Sequence, residues 1–326
     1  MATKIGFIGS GGIARAHHSY LSTLEDVVLT AFCDVDEVRA RSVAAEYDAK
    51  AYSEFAQMLE AESLDAVFIC TPPFAHGDIE AACIDAGLPM FIEKPLATNM
   101  ATARKIENAV NAKGLITAVG YHWRYQGATV MARELLADQR VAFVEGVWYG
   151  GMPGVYWWRQ MALSGGQMVE QCTHIVDLAR YLVGEIQSVA AYGAKGIMAK
   201  KVEKHDVWDS QLSAVRFDNG VVGHLSTSNA LSIDGRAGLT LYCPELKLDV
   251  TGALSLTRPG EQTTHTDGPG WRNPNNAEDD AFLKAVTTGD RSGIFSDYTD
   301  AMKTLAVSLA INKSCETGQP VTVADV

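Results

Sequence analysis

The sequence contains no apolar run long enough to span a bilayer, which excludes a helical integral membrane protein. Positive charge is in deficit: 27 Lys and Arg face 39 Asp and Glu, for a formal net charge of -12. That balance argues against nucleic acid or an anionic membrane surface as the main partner. No two of the six cysteines (Cys33, Cys70, Cys83, Cys172, Cys243 and Cys315) have metal-ligand or redox-motif spacing. Several lie in apolar runs and read as small buried hydrophobes, as suits a reducing cytoplasm. The opening MATKIGFIG is too short and glycine-rich for a signal peptide, so the expected location is cytoplasmic. There is no internal repeat and no low-complexity tract.

What is present is an ordinary globular profile, 47% hydrophobic with both signs of charge mixed. A chain of 326 residues exceeds most single domains, so two are expected. Through residue 122, short apolar runs at 5–8, 28–33, 66–70, 90–92 and 116–119 alternate with helical patterns. This is the signature of a parallel sheet with crossover helices. Gly87 and Gly114 stand where helix ends want a left-handed residue. From residue 123 to 326 the chain reads as an α+β domain on a mostly antiparallel sheet, with candidate strands at 141–149, 188–193, 210–217, 222–228, 239–243 and 246–250. DNG at 218–220 is a hairpin signal, and a helix is expected over 166–182.

The first strand runs into IGFIGSGGIARAHH, where Gly9, Gly11 and Ala14 fit the G-x-G-x-x-G/A dinucleotide fingerprint. Gly9 permits the tight turn and Gly11 lets backbone approach a pyrophosphate. N–H groups around Gly12 and Ile13, at the helix start, then hold the phosphates. Asp34 ends the second run, where a carboxylate accepts hydrogen bonds from ribose hydroxyls and repels a 2′-phosphate. NAD is therefore the expected cofactor, with Arg39 keeping NADP open and Asp36 read as the cap of the next helix. TPPFAH, with Thr71, Pro72, Pro73 and His76, follows the fourth strand and suits a wall beside the cofactor. An ordinary strand-to-helix turn explains the prolines equally well.

The fifth strand ends in FIEKP, which puts Lys94 on the same sheet edge as the glycine loop. An ammonium there can stabilise the oxyanion that develops at a substrate hydroxyl during hydride transfer. Glu93 can orient that lysine or touch the cofactor. Further on, GGQMVEQCTHIVDLARYL reads as an amphipathic helix with Glu170 and His174 four apart on one face. An acid/base pair and a plain helix-surface pair both account for them. Zinc also fits the spacing, but no third ligand is evident and no metal is expected. Tyr121, Trp123 and Arg124 in GYHWRYQ, and Trp157, Trp158 and Arg159 in GVYWWRQ, suit a polyhydroxylated ring or, equally, core packing. Trp271 and Arg272 lie in a long loop that could act as a lid or a neighbour contact.

From GSGGIA through ICTPPFAHGDIEAACIDAGLPMFIEKPLATN to SGGQMVEQCTHIVDLARYLVGE, the chain resembles the Gfo/Idh/MocA oxidoreductases, which include glucose–fructose oxidoreductase and inositol dehydrogenases. The resemblance extends weakly to SDYTDAMKTLAVSLAINKSCETGQPV. It implies a Rossmann domain over 1–122 and, over 123–326, a substrate-binding and oligomerisation domain with an open sheet that forms homodimers or homotetramers. It implies catalysis by Lys94, a cis Lys94–Pro95 bond, and His174 as general acid/base assisted by Glu170, where aspartate is commoner. The implied activity is NAD-dependent hydride transfer at the carbinol of a sugar, cyclitol or sugar derivative. Two alternatives are an NAD-retaining glycosidase working by transient oxidation and elimination, and a non-catalytic dinucleotide-binding regulator.

Overall fold

In a computed structural model, residues 2–261, 263–266 and 272–326 are described. By its contacts the chain divides into two units, Met1–His122 with Asn273–Met302, and Trp123–Arg272 with Lys303–Val326.

The first unit begins β1 (Thr3–Ile8), α1 (Gly12–Leu21), β2 (Val27–Cys33), α2 (Glu37–Glu46), β3 (Lys50–Tyr52) and α3 (Phe55–Ala61). It continues β4 (Ala66–Ile69), α4 (Asp78–Asp85), β5 (Met90–Ile92), α5 (Met100–Lys113) and β6 (Thr117–Val119). The strands form one sheet in the order β3-β2-β1-β4-β5-β6, parallel throughout. The order reverses direction between β1 and β4, the switch point at which such sheets bind ligands. The short strand β3 is an addition to the sequence reading. Gly87 and Gly114 take positive φ, 72° and 62°, and stop α4 and α5 as expected.

The second unit holds α6 (Gly127–Leu136), β7 (Phe143–Tyr149), α7 (Met161–Ser164), α8 (Gln167–Glu170), α9 (Thr173–Val183), β8 (Ile186–Ala194), β9 (Ser210–Phe217) and β10 (Val222–Ser228). Then come β11 (Arg236–Cys243), β12 (Leu246–Val250), β13 (Leu254–Thr257) and β14 (Thr264–Thr266). The chain closes with α10 (Pro274–Thr288), α11 (Tyr298–Thr317) and β15 (Val321–Thr322). The second sheet runs β14-β13-β12-β11-β7-β10-β9-β8-β15 and is antiparallel except where β10 meets β7. The DNG segment is the β9–β10 hairpin, closed by Phe217 N–H to the Val221 carbonyl at 2.9 Å. Helix α9 lies on this sheet through Ile175, Val176 and Leu178, which share a core with Val144, Leu225 and Leu241. Gly146 permits the close approach, since a Cβ there would come within 2.7 Å of Ile175.

Two expectations are revised. The second domain is not continuous over 123–326, because residues 273–302 group with the first unit. The reason is apolar. Phe7, Phe32, Phe68 and Phe91 sit in register on adjacent strands and stack 4.8–5.3 Å apart. Phe282 of α10 packs edge-on against Phe68 and Phe91 at 5.4 and 5.8 Å. Its burial is worth about 1.5–3 kcal/mol, which favours the return of this segment. The second revision concerns the helix expected over 166–182, which breaks after Glu170 into α8 and α9. The Cys172 N–H reaches back five residues to Gln167, and His174 N–H only three to Gln171, so the even four-residue repeat is lost.

Inside the second unit, Asp177 accepts hydrogen bonds from Arg124 Nε and Nη2 at 2.7 and 2.6 Å and from the Thr304 hydroxyl at 2.9 Å. All three residues are buried. Asp177→Asn leaves the Arg124 guanidinium facing a neutral amide, and should cost about 3–5 kcal/mol of stability, the scale for breaking a buried ion pair. A urea unfolding midpoint unchanged from wild type would contradict this.

Candidate active site

Strand register lays out the first unit's functional edge. Ile8 pairs with Cys33 and with Ile69, Ile69 with Ile92, and Ile92 with Val119. The residues that follow these strand ends, Gly9, Asp34, Cys70, Glu93 and Gly120, therefore lie along one edge. Gly9 has φ 91°, and a Cβ there would fall 2.3 Å from the Cys70 carbonyl oxygen, so only glycine makes this turn. Gly11 caps α1 without a side-chain hydrogen bond, and Cβ atoms on Gly11 or Gly12 would meet nothing within 4 Å. The first N–H groups of α1, from Gly12 and Ile13, are thus left for an anion.

Asp34 is buried, and its carboxylate accepts the Ser10 and Asp36 N–H groups, both at 2.9 Å. It thereby ties the glycine loop to the end of β2. Arg39 reaches Asp34 at 3.2 Å and Asp36 at 3.2 Å, and Asp36 caps α2 by accepting the Arg39 N–H. Arg39 is thus already held by two carboxylates, which compete with a 2′-phosphate for its guanidinium. A cavity of about 520 Å³ opens here, lined by Ser10, Gly11, Gly12, Arg39 and Ser42 among others. The buried hydroxyls of Ser10 and Thr71 have no hydrogen-bond partner among the described residues. An uncapped helix start, open space over two glycines and two orphaned hydroxyls fit a bound dinucleotide.

Thr71, Pro72 and Pro73 follow β4 as expected, with Pro73 opening a single 3₁₀ turn. His76 joins that turn to α4: one ring nitrogen meets Glu80 and the other lies 3.2 Å from the Thr71 carbonyl oxygen. Burial alone would raise the Glu80 carboxyl, but His76 and the Gly77 N–H outweigh it and lower it. His76 thus shapes the wall from below. Glu93 and Lys94 follow β5 directly, and Lys94–Pro95 is cis. Glu93 is buried, with His17 Nε2 at 3.1 Å. The sequence reading missed His17 and its second partner, Asp279; a histidine on the helix face shared with Ala14 and Leu21 was the available signal.

In the second unit, His174 and Glu170 are both buried. The His174 ring lies nearly parallel to two indoles, Trp123 at 6.4 Å and Trp148 at 6.0 Å between centroids. Trp123 was read as a substrate contact or a packing residue; Trp148, on β7, was not singled out. Three expected substrate contacts are revised. Arg124 is engaged by Asp177 and packs over the Tyr181 ring at 4.8 Å. Tyr121 is 1% exposed and Trp158 2% exposed, so neither offers surface to a sugar. Trp157 and Arg159 remain partly exposed, and Arg159 donates to the Glu203 carbonyl at 3.3 Å. Trp271 lies outside the described residues; Arg272 lies within them, in no helix or strand.

A family model described as "Oxidoreductase family, NAD-binding Rossmann fold" matches residues 3–121, and the GFO/IDH/MocA C-terminal domain model matches residues 129–248. D-glucoside 3-dehydrogenase of Escherichia coli K12 is 27% identical over 281 residues, covering 77% of this chain and 80% of that protein. Myo-inositol 2-dehydrogenase of Thermotoga maritima is 26% identical over 237 residues, covering 69% and 68%. The solved structure of levoglucosan dehydrogenase in complex with NADH superposes with a TM-score of 0.87 at 21% identity, over 99% of each chain, which shows the shared fold. The chain belongs to the Gfo/Idh/MocA family of oxidoreductases, and its cofactor is NAD. Among the described residues no helix is long and apolar enough to cross a membrane.

Wild-type protein should bind NAD more tightly than NADP. Asp34→Asn keeps the side chain's shape and removes its charge, and should narrow the NAD-to-NADP affinity ratio about tenfold or more, the scale of one charge-assisted hydrogen bond. Fluorescence titration with both cofactors checks this; an unchanged ratio would place Asp34 away from the ribose.

Proposed function

We propose that this family member is an NAD-dependent dehydrogenase acting on a secondary hydroxyl of a sugar, cyclitol or sugar derivative. The observation that carries the reading is the common edge on which β1, β2, β4 and β5 deliver the glycine loop, Asp34, the Thr71–Pro73 wall and Lys94. The named activities of the E. coli and T. maritima relatives support the substrate class. NAD, when bound, supplies the hydride acceptor. Gly12 and Ile13 hold its phosphates, Asp34 its ribose, and Thr71 and Pro72 flank it. Lys94 donates a hydrogen bond to the substrate oxygen and steadies the alkoxide that develops there. His174 takes the hydroxyl proton, and its imidazole packs beside Trp123 and Trp148, whose own rings lie 5.9 Å apart. Glu170 orients the histidine or the substrate hydroxyl. Trp157 and Arg159 are the remaining candidates for substrate contact.

The oligomer expected from the resemblance finds support in the second sheet. Tyr192 and Leu212, paired across β8 and β9, are 78% and 54% exposed on one face. A homodimer or homotetramer would cover them.

A panel of sugars and cyclitols with NAD, followed by absorbance of the reduced cofactor, tests the reading. Turnover without added cofactor and with release of an aglycone would favour the glycosidase alternative; tight NAD binding with no reduction across the panel would favour a regulator. Lys94→Ala should retain NAD binding and lose about a hundredfold in kcat, the scale of one oxyanion donor. Turnover within threefold of wild type would remove Lys94 from the chemistry. Glu170→Gln should lower kcat while leaving NAD affinity unchanged; full activity at every pH would show that Glu170 is not part of the site.

A further inference from the structure

Both ring nitrogens of His17 are taken by carboxylates. Nδ1 lies 2.7 Å from Asp279 Oδ1 and Nε2 lies 3.1 Å from Glu93 Oε1. His17 comes from α1, Asp279 and Glu278 from α10, and Glu93 is the residue before Lys94. All four are buried to within 4% exposure. The imidazole is wedged against Phe68 and Phe91, with ring centroids 5.5 and 4.9 Å away. The Glu93 carboxylate lies against Gly120, where a Cβ would come within 2.6 Å of it. Neither ring nor carboxylate has room to swing.

Every charge here is out of water, so each has to be held by a neighbour. Burial pushes His17 down, but Asp279 and Glu93 outweigh it and raise it well above its ordinary value. Burial pushes Glu93 up, but His17, with Lys94 and His122, brings it below the usual carboxylate range. Glu278 is raised well above the ordinary carboxylate value by burial and by the Glu93 charge. Asp279 is raised by burial against the pull of His17. Of the other groups that face Glu93, His122 is pushed down by burial to about 4, and the buried Cys70 thiol is raised. The result is an imidazolium gripping an ionised Glu93. Ligand atoms of His17, Glu93 and Glu278 lie within 4.8 Å of one another, but both His17 nitrogens are already engaged, which favours ion pairing over a metal centre.

A buried ion pair is seldom the most stable filling for a core; apolar side chains of similar volume serve as well or better. Its position beside Lys94 gives this one a use. We propose that His17 and Asp279 are positioning residues for Lys94, acting through the Glu93 carboxylate that His17 holds in place. Glu93, held by His17 and packed on Gly120, fixes the end of β5 from which Lys94, the next residue, projects. This role rests on the reading of Lys94 as the donor to the alkoxide, so the test includes measurements that need no substrate.

The first uses the wild-type chain. In ¹⁵N-labelled protein at pH 8, His17 should be doubly protonated, whereas a histidine near the unperturbed value of about 6.5 is neutral. A neutral His17 would overturn the proposal even if every variant misfolded. The second is acetylation of Lys94 by acetic anhydride at pH 8, read against the exposed Lys105 in the same digest. His17→Gln and Glu93→Gln should each raise Lys94 labelling about fivefold or more, because the segment that carries the lysine is no longer held. The double variant should do no more than either alone, because both changes remove one device. Labelling at the wild-type rate in both single variants would overturn the proposal.

The third measures turnover on the best polyol of the panel. His17→Gln should lose about tenfold in kcat, with KM for NAD within about twofold, as for an interaction needed only in the transition state. Its pH profile should change as well. Without the imidazolium, burial is left to raise the Glu93 carboxyl, so activity gains a pH dependence where wild type is level. A lower melting temperature with an unaltered pH profile would mark a purely structural residue. Activity lost to EDTA and restored by Zn²⁺ would instead mark a metal centre, and would equally refute the proposal.

Discussion

The constraint on which the first unit's chemistry depends is the register of a parallel sheet. Because Ile8, Cys33, Ile69, Ile92 and Val119 pair in one row, each strand releases its chain at the same height. No side chain has to reach far. A turn, a carboxylate, a proline wall and an Glu-Lys pair become neighbours because backbone hydrogen bonds end together. Shifting one strand by a single residue would turn its side chains to the opposite face and lift its motif out of line. Asp34 reinforces the arrangement from the polar side, since its two oxygens hold the N–H groups of Ser10 and Asp36. A residue read as a ribose ligand is thus also the clasp of the loop that would hold the phosphates.

Behind this edge, four phenylalanines in register make a continuous aromatic stripe across the sheet. The stripe explains two features with no shared sequence signal. It attracts Phe282, and with it the whole of α10, back to the first unit from beyond residue 272. It also makes the surroundings of His17 dry, which strengthens every electrostatic contact made there. Tyr20 adds a hydrogen bond to Asp280 at 2.6 Å, so α1 and α10 are joined by polar as well as apolar contacts.

What the sequence revealed was local. The glycine turn, the Asp36 cap, the glycine helix stops and the DNG hairpin depend on residues within a few positions of one another, and each appears where it was read. The alternation of apolar runs with helical patterns was enough for the Rossmann sheet, although β3, Lys-Ala-Tyr with no buried residue, offered no apolar run to read. The misses share one cause, which is distance along the chain. His17 and Asp279 are 262 positions apart, and Arg124 and Asp177 are 53 apart. Arginine beside tryptophan and tyrosine resembles a sugar site in one dimension; only the fold shows that Asp177 has engaged the guanidinium. The break after Glu170 was hidden for another reason. An apolar pattern continuous from 166 to 182 carries no mark of a hydrogen bond that skips a residue at Cys172.

The two buried charge clusters show how structural and functional pairing differ. Around Asp177, both carboxylate oxygens accept hydrogen bonds, from Arg124 and Thr304, and Arg180 adds its charge at 3.7 Å. A network satisfied in this way fixes packing and needs nothing further. Around His17 the satisfaction is incomplete. Among the described residues, both buried oxygens of Glu278 and one of Asp279 have no hydrogen-bond partner. Leaving such groups unpaired costs stability that an apolar side chain of the same size would have preserved. Natural cores keep few such groups, and those they keep gather where a charge has work to do. Here the incomplete cluster adjoins the lysine on which the proposed chemistry turns, while the complete one pairs Arg124 with Asp177. The contrast in hydrogen bonding, rather than the mere presence of charge, is what separates the two.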